Sequence, residues 1–147
     1  MIQQTTASIS WQADFATGVA IIDDQHRVLI KMLNQAGSEL TDRSPLQDFD
    51  RIIQGLLSYA GYHFGTEERL MIEHGYEKER AAAAAEHVRQ HQDFAAKVLA
   101  AKAQIMAGKH IPKAELESFL TTWLADHILH TDKEFGAFIR DKQSGRT

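Results

Sequence analysis

Seven side chains, His26, His63, Glu67, His87, His91, His127 and Asp132, combine into one candidate metal site. His63 with Glu67 and His87 with His91 stand four residues apart, and on a helix of 3.6 residues per turn each such pair shares a face. That face is the apolar one. Phe49, Ile53, Leu56, Ala60, His63, Glu67 and Leu70 recur at alternating steps of four and three, as do Ala84, His87, His91, Phe94, Val98, Ala101 and Ile105. A buried ionised carboxylate and several buried imidazoles are costly unless a charge compensates them. A metal cation is such a charge. Imidazole and carboxylate without thiolate suit iron, with zinc, copper and nickel as competing metals.

Positioning these groups requires four long helices, expected at roughly 24–42, 45–74, 79–107 and 112–130. Ser44 is the expected N-cap of the second, with Pro45 at the first helical position and Gln47 completing a capping box. Gly75 should end that helix, Gly108 should end the third, and Pro112 should stand early in the fourth. The Ala81 to Ala85 run reads as strong helix former. Every helix carries a candidate ligand on its inner face, including His26 with Leu29, Leu33, Gly37 and Leu40 on the first. Short connections favour antiparallel neighbours, so the fold class is all-α, an up-down-up-down antiparallel four-helix bundle. Residues 1–18, with Trp11 and Phe15, should form an N-terminal arm along it. The bundle proper should span about 19–133. The segment 134–147, with Phe135, Phe138 and Ile139, should add a short C-terminal helix over one end. One spacing resists this scheme: five steps of about 100° rotate Asp132 well away from His127 on a regular helix. If Asp132 is a ligand, the helix must end, loosen or kink between Ile128 and Thr131.

Composition narrows the function classes. The chain has 147 residues, enough for one domain with a real core, and a formal charge of -4 with its Lys and Arg dispersed, so it offers no footprint for nucleic acid. It contains no cysteine, which excludes disulfides, iron–sulfur clusters and thiolate zinc sites and permits a cytoplasmic setting. No signal sequence or membrane span is expected. Among the other histidines, His74 suits the last turn of the second helix, where the dipole favours a partly charged imidazole. His110 falls in a loop, and His130 is the one competitor of His127. Glu68 reads as a surface residue beside Glu67, and Gly61 and Gly65 read as points of close helix approach. Trp123, one turn before His127, reads as core.

The joint pattern of His26, H-F-G-T-E from His63 to Glu67, H-V-R-Q-H from His87 to His91, and H-I-L-H-T-D from His127 to Asp132 resembles the hemerythrin family, and most of all its single-domain bacterial branch. The similarity runs from about Trp11 to Phe138. It implies two iron ions, one held by His87, His91 and His127 and the other by His26 and His63. Glu67 and Asp132 would bridge them together with an oxo or hydroxo group. In that arrangement the three-histidine iron is coordinatively filled, the two-histidine iron keeps one open position, and dioxygen is the expected ligand there. By family similarity and nearness to the ligands, Leu29, Phe64, Trp123, Leu124 and Ile128 would wall the oxygen pocket.

Two functions from different classes follow. One is reversible dioxygen binding for storage, transport or delivery, without enzymatic activity, by a monomer that serves an oxygen-consuming client protein. The other is a di-iron enzyme handling oxygen, peroxide or nitric oxide, with an oxygen or iron sensor as a third reading that no appended output domain supports. Oxygen-activating bundles use several glutamates with paired E-x-x-H motifs, and this chain contains no E-x-x-H. Fewer anionic ligands stabilise high-valent iron less, which favours the carrier.

Overall fold

The computed structural model of the protein describes residues 9–145. After a short 3-10 turn at Ala13–Phe15 come α1 (Ala20–Glu39), α2 (Leu46–His74), the single turn α3 (Tyr76–Glu79), α4 (Ala81–Met106), α5 (Lys113–Asp126), a π-helical segment (His127–Asp132) and α6 (Lys133–Gln143). α2 packs against both α1 and α4, and α1 also packs against α5, giving the up-down-up-down bundle. No helix among the described residues is long and apolar enough to cross a membrane.

The inward stripes are those the heptad-like spacing predicts. They include Leu29, Leu33 and Ala36 on α1, Phe49, Ile53, Leu56 and Ala60 on α2, Phe94, Val98 and Ile105 on α4, and Leu116, Leu120 and Leu124 on α5. Apart from Ala36, these residues, with Phe64 and Ile128, form one hydrophobic core. A second, smaller core joins Ile22, Met71, Tyr76, Ala84, Phe135, Phe138 and Ile139. The candidate ligands lie along the helices between the two, so a polar layer is closed off by hydrocarbon on either side.

Helix ends depart from expectation in instructive ways. Ser44 does not cap α2: its hydroxyl accepts the Thr41 N–H at 2.9 Å within a turn, Pro45 takes the capping position, and no capping box with Gln47 forms. That turn also stops α1 at Glu39 rather than at 42. α1 starts earlier than expected, at Ala20, because buried Asp23 accepts the Thr17 N–H at 2.8 Å, the Thr17 hydroxyl at 2.8 Å and the Gly18 N–H at 3.2 Å, tying the arm to the first turn. α2 ends at Gly75 as expected, in the left-handed conformation with φ 76° that glycine adopts without steric cost. Pro112 precedes α5 as its capping residue instead of lying inside it.

The C-terminal segment forms the expected short helix, α6, which follows α5 without a break. The backbone stays in the right-handed helical region at His127 and Lys133, so α5, the π-helical segment and α6 are one continuous rod. Its last turns close the end of the bundle beyond the polar layer.

Residues 1–8 of the expected arm, and 146–147 at the other end, lie outside the described residues. From Ile9 onward the arm follows α1. Ile9 and Asn34 exchange hydrogen bonds of 3.0 and 2.7 Å, Arg27 lies 4.2 Å over the Trp11 ring, and Phe15 is buried.

Close approach of backbone occurs at a glycine the sequence reading passed over. A Cβ on Gly61 or Gly65 would meet nothing within 4 Å, so neither serves helix packing, whereas one on Gly136 would come within 2.7 Å of both the Cβ and the carbonyl oxygen of Thr17. Gly136 therefore lets α6 seat against the arm. Gly136→Val is expected to lower the melting temperature by several degrees, because overpacking costs about 1–3 kcal/mol and each kcal/mol shifts a domain of this size by about 2–4 °C. A thermal melt that matches the parent protein's would refute that seating.

Candidate metal centre

α1 delivers His26, α2 delivers His63 and Glu67, α4 delivers His87 and His91, and the π-helical segment delivers His127 and Asp132; all seven are buried. The i, i+4 pairs share a face as α-helical geometry requires. His127 and Asp132 share one for a different reason. Where hydrogen bonds run i to i+5, the turn widens by a residue, and side chains five apart come into line.

The two carboxylates stand between two sets of imidazoles. Glu67 Oε1 lies 3.1 Å from His87 Nε2 and 2.9 Å from His91 Nε2, while its Oε2 lies 3.4 Å from His63 Nε2 and 3.7 Å from His26 Nε2. Asp132 divides the same way: Oδ1 is 3.0 Å from His87 Nε2 and 3.1 Å from His127 Nε2, and Oδ2 is 2.8 Å from His26 Nε2. Each carboxylate thus turns one oxygen to a three-histidine group and the other to a two-histidine group. Ligand-type atoms converge in the sets Glu67, His87, His91, His127 and His26, His63, Glu67, Asp132, each within 4.8 Å.

Whether these atoms suit metals is decided by what they leave undone. Among the described residues, every buried side-chain nitrogen or oxygen without a hydrogen-bond partner belongs to His26, His63, Glu67, His87, His127 or Asp132. His26 Nε2 and Asp132 Oδ2 are only 2.8 Å apart yet are not aligned to hydrogen-bond. Both residues belong to a set whose ligand-type atoms are close enough to share a cation. Buried polar groups are ordinarily paired, and this concentration of unpaired ones fits two cations.

Three of the five far ring nitrogens, those of His63, His91 and His127, are held by partners not anticipated from the sequence, while Nδ1 of His26 and of His87 has none. His63 Nδ1 donates to Gln25 Oε1 at 2.7 Å, and Gln25 in turn donates to the Thr66 hydroxyl at 3.2 Å. His127 Nδ1 donates to Gln90 Oε1 at 2.7 Å, an oxygen that also accepts the Thr131 hydroxyl at 2.8 Å. His91 Nδ1 lies 2.8 Å from Glu68 Oε2, so Glu68, expected as a surface residue, reaches inward from a half-exposed position. Such acceptors fix the tautomer that leaves Nε2 free as a ligand. Gln25 adjoins His26 and Gln90 adjoins His91 in the chain, but each holds a histidine of another element, so adjacency gave no signal for either contact.

Without metal, protons take over the compensation. Burial alone would push the His26 and His127 imidazoles down, but Asp132 and Glu67 outweigh it and raise them to about 9 and about 10. Burial would raise Glu67 and Asp132, and Glu67 opposes Asp132 further, yet the surrounding histidines hold both carboxyls below their ordinary range.

The other histidines separate cleanly. His130 is exposed and plays no part, His74 sits in the last turn of α2, and exposed His110 lies 3.7 Å from Asp42. Rings cover the layer on one side. Phe64 stacks on His91 at 4.0 Å and Trp123 on His127 at 4.6 Å. Leu29, Phe64, Trp123 and Leu124 line an apolar cavity of about 20 Å³ there. That is room for about one water-sized molecule. Ile128 is fully buried in the same core but does not line the cavity.

Comparison with known proteins agrees with this geometry. The family model for the hemerythrin HHE cation binding domain matches residues 17–139. The chain is similar to a bacteriohemerythrin of Stenotrophomonas maltophilia (strain R551-3), with 33% identity over 95% of this chain and 92% of the relative. It is 30% identical to one of Clostridium acetobutylicum, over 85% of this chain and 96% of that protein. A crystal structure of wild-type hemerythrin superposes with a TM-score of 0.78 at 26% identity, covering 89% of this chain and 97% of the other.

Proposed function

Because the chain belongs to the hemerythrin family, we propose that it is a single-domain carrier that binds dioxygen reversibly at a non-haem di-iron centre, as a cytoplasmic monomer that stores oxygen or delivers it to an oxygen-consuming client. The observation that carries the reading is the division of Glu67 and Asp132, one oxygen of each to either histidine group, which is what two bridging carboxylates need.

In this reading His87, His91 and His127 hold one iron, His26 and His63 hold the other, and an oxo or hydroxo group completes the bridge. When bound, the iron pair supplies two electrons and one open coordination position for dioxygen. The protein supplies the rest. Gln25, Gln90 and Glu68 orient the imidazoles of His63, His127 and His91, so the geometry of these three ligands is set before metal arrives. Phe64 and Trp123 exclude water from the ring faces. The cavity beside them is lined by Leu, Ala, Phe and Trp side chains alone, so no lining carboxyl or hydroxyl stands ready to deliver a proton to a bound molecule. Starving the site of protons favours release of the ligand unchanged, which is what separates a carrier from an oxidase.

Anaerobic titration of the di-iron protein with oxygen, followed by argon flushing, tests this. The expected result is about two irons per chain and a charge-transfer spectrum that appears and disappears through repeated cycles. A single turnover to a di-ferric product with release of peroxide would favour the enzyme instead. Retention of one zinc and no iron would end the di-iron reading.

A further inference from the structure

Leu33, Leu56 and Leu120 each line two separate voids. On one side they bound the apolar cavity against Phe64 and Trp123, and on the other a void of about 10 Å³ reaching Lys113 and Glu117 at the start of α5. The inner void ends near the two-histidine group, since Leu29 and Ala60, which also line it, stand one helical turn from His26 and His63. The outer one ends near the surface. The voids are thus in line along the seam between α1, α2 and α5, parted only by three leucines.

The outer end is built in a way that helix stability does not explain. Lys113 Nζ and Glu117 Oε2 are 3.9 Å apart with side-chain exposures of 16% and 14%. Lysine before glutamate is the weaker order for an i, i+4 pair. Lysine in a helix's first turn also opposes the helix dipole. Across from them, Gly37 interrupts α1, at a cost of about 1 kcal/mol relative to alanine. A Cβ there would meet Glu117 Oε2 at 2.5 Å. Gly37 therefore makes the berth in which the Glu117 carboxylate lies over the void.

We propose that this seam is a path for small apolar gases, with Glu117, seated on Gly37 and paired with Lys113, as its gate and Leu33, Leu56 and Leu120 as its constriction. The path rests on the oxygen-binding reading for its cargo, dioxygen. Void volumes of about 10 and 20 Å³ admit one small molecule at a time; the inner void offers no polar partner to hold water, and the polar side chains Lys113, Glu117 and Thr121 are confined to the outer one. Gas would pass by side-chain rotation at the leucines, and the charged pair at the mouth would stand between bulk water and the cavity.

Xenon is the probe for the path itself, because it needs neither iron nor oxygen chemistry. In the metal-free protein, xenon is expected to shift methyl NMR signals of Leu33, Leu56 and Leu120, and Leu33→Phe is expected to remove those shifts. In the iron-loaded protein, Leu33→Phe is expected to slow oxygen association by roughly tenfold, equivalent to ~1.4 kcal/mol. Glu117→Ala, which removes the gate without touching the core, is expected to speed it. Absence of xenon shifts at these leucines, or oxygen association rates unchanged in both variants, would overturn the path. Xenon shifts in a protein that binds no oxygen would instead leave the path standing and remove the carrier reading.

Discussion

His127→Ala is expected to abolish retention of the iron pair, and His130→Ala to leave it intact. The two residues are three apart and chemically identical, so sequence offers little to separate them. Position does. His127 is buried, with Nε2 3.1 Å from Asp132 Oδ1 and Nδ1 held by Gln90, whereas His130 is exposed. Removing the first leaves one group with two imidazoles and takes from Gln90 Oε1 one of its two donors, the Thr131 hydroxyl remaining. The lost hydrogen bond to Gln90 and the cavity left by the buried imidazole both lower stability, so loss of metal and loss of stability should come together. Elemental analysis of both variants after expression with ample iron decides the matter. A His130→Ala protein that retains no iron, or a His127→Ala protein that keeps both, would show the fourth-helix ligand to be wrongly assigned.

Removal of the metal is expected to lower the melting temperature by roughly 10 °C. The size follows from linkage: a ligand at a thousand times its dissociation constant adds about 4 kcal/mol when it binds only the folded state, and each kcal/mol shifts a domain of this length by about 2–4 °C. The pH dependence should differ as well. In the metal-free protein His26 and His127 titrate near 9 and 10, above the ordinary 6.5. Their stabilisation is therefore complete below about 6.5 and is lost as pH rises through 9 to 10. Glu67 and Asp132, held low, contribute fully above the ordinary carboxyl range and lose that contribution as pH falls below it toward their own depressed values. In the iron-loaded protein metal replaces the imidazole protons, so the alkaline decline should vanish, and acid should instead release iron by protonating its ligands. Thermal melts of both forms from pH 5 to 10 are the check. Coincident curves would mean that the seven residues do not hold metal in the core.

Much of this was legible in the chain because burial and chemistry share one period. His63, Glu67, His87 and His91 fall in the same alternating steps of four and three as the leucines and phenylalanines around them, so marking the core also marked the ligands. The need for a break between Ile128 and Thr131 followed from the angle between His127 and Asp132, and the π-helical segment supplies it. The partners of the ligands were not legible. Glu68 lies on the outer edge of its helix and reaches His91 on another, a contact of interhelical distance that no spacing within one segment encodes. Gln25 and Gln90 were hidden for the same reason. Gly136 shows the complementary limit: glycines at 61 and 65 looked like packing devices from their spacing, yet the one that admits a neighbour faces Thr17, more than a hundred residues away in the chain.

The π-helical segment is also a change of phase. A regular helix would leave residues five apart about 140° out of register, and here they are in register, so the rod contains one residue more than the same alignment would need at four-residue spacing. Everything downstream inherits that offset. Phe135 and Ile139 face the small core beyond the polar layer, while Leu116, Leu120 and Leu124 face the large one before it, and the buried stripe that joins them through Ile128 and Asp132 advances by four residues at four successive steps, where a regular helix would alternate four with three. What the site constrains is therefore an angle and not a residue count, and the fourth helix satisfies it with a spacing unlike that of the other two pairs.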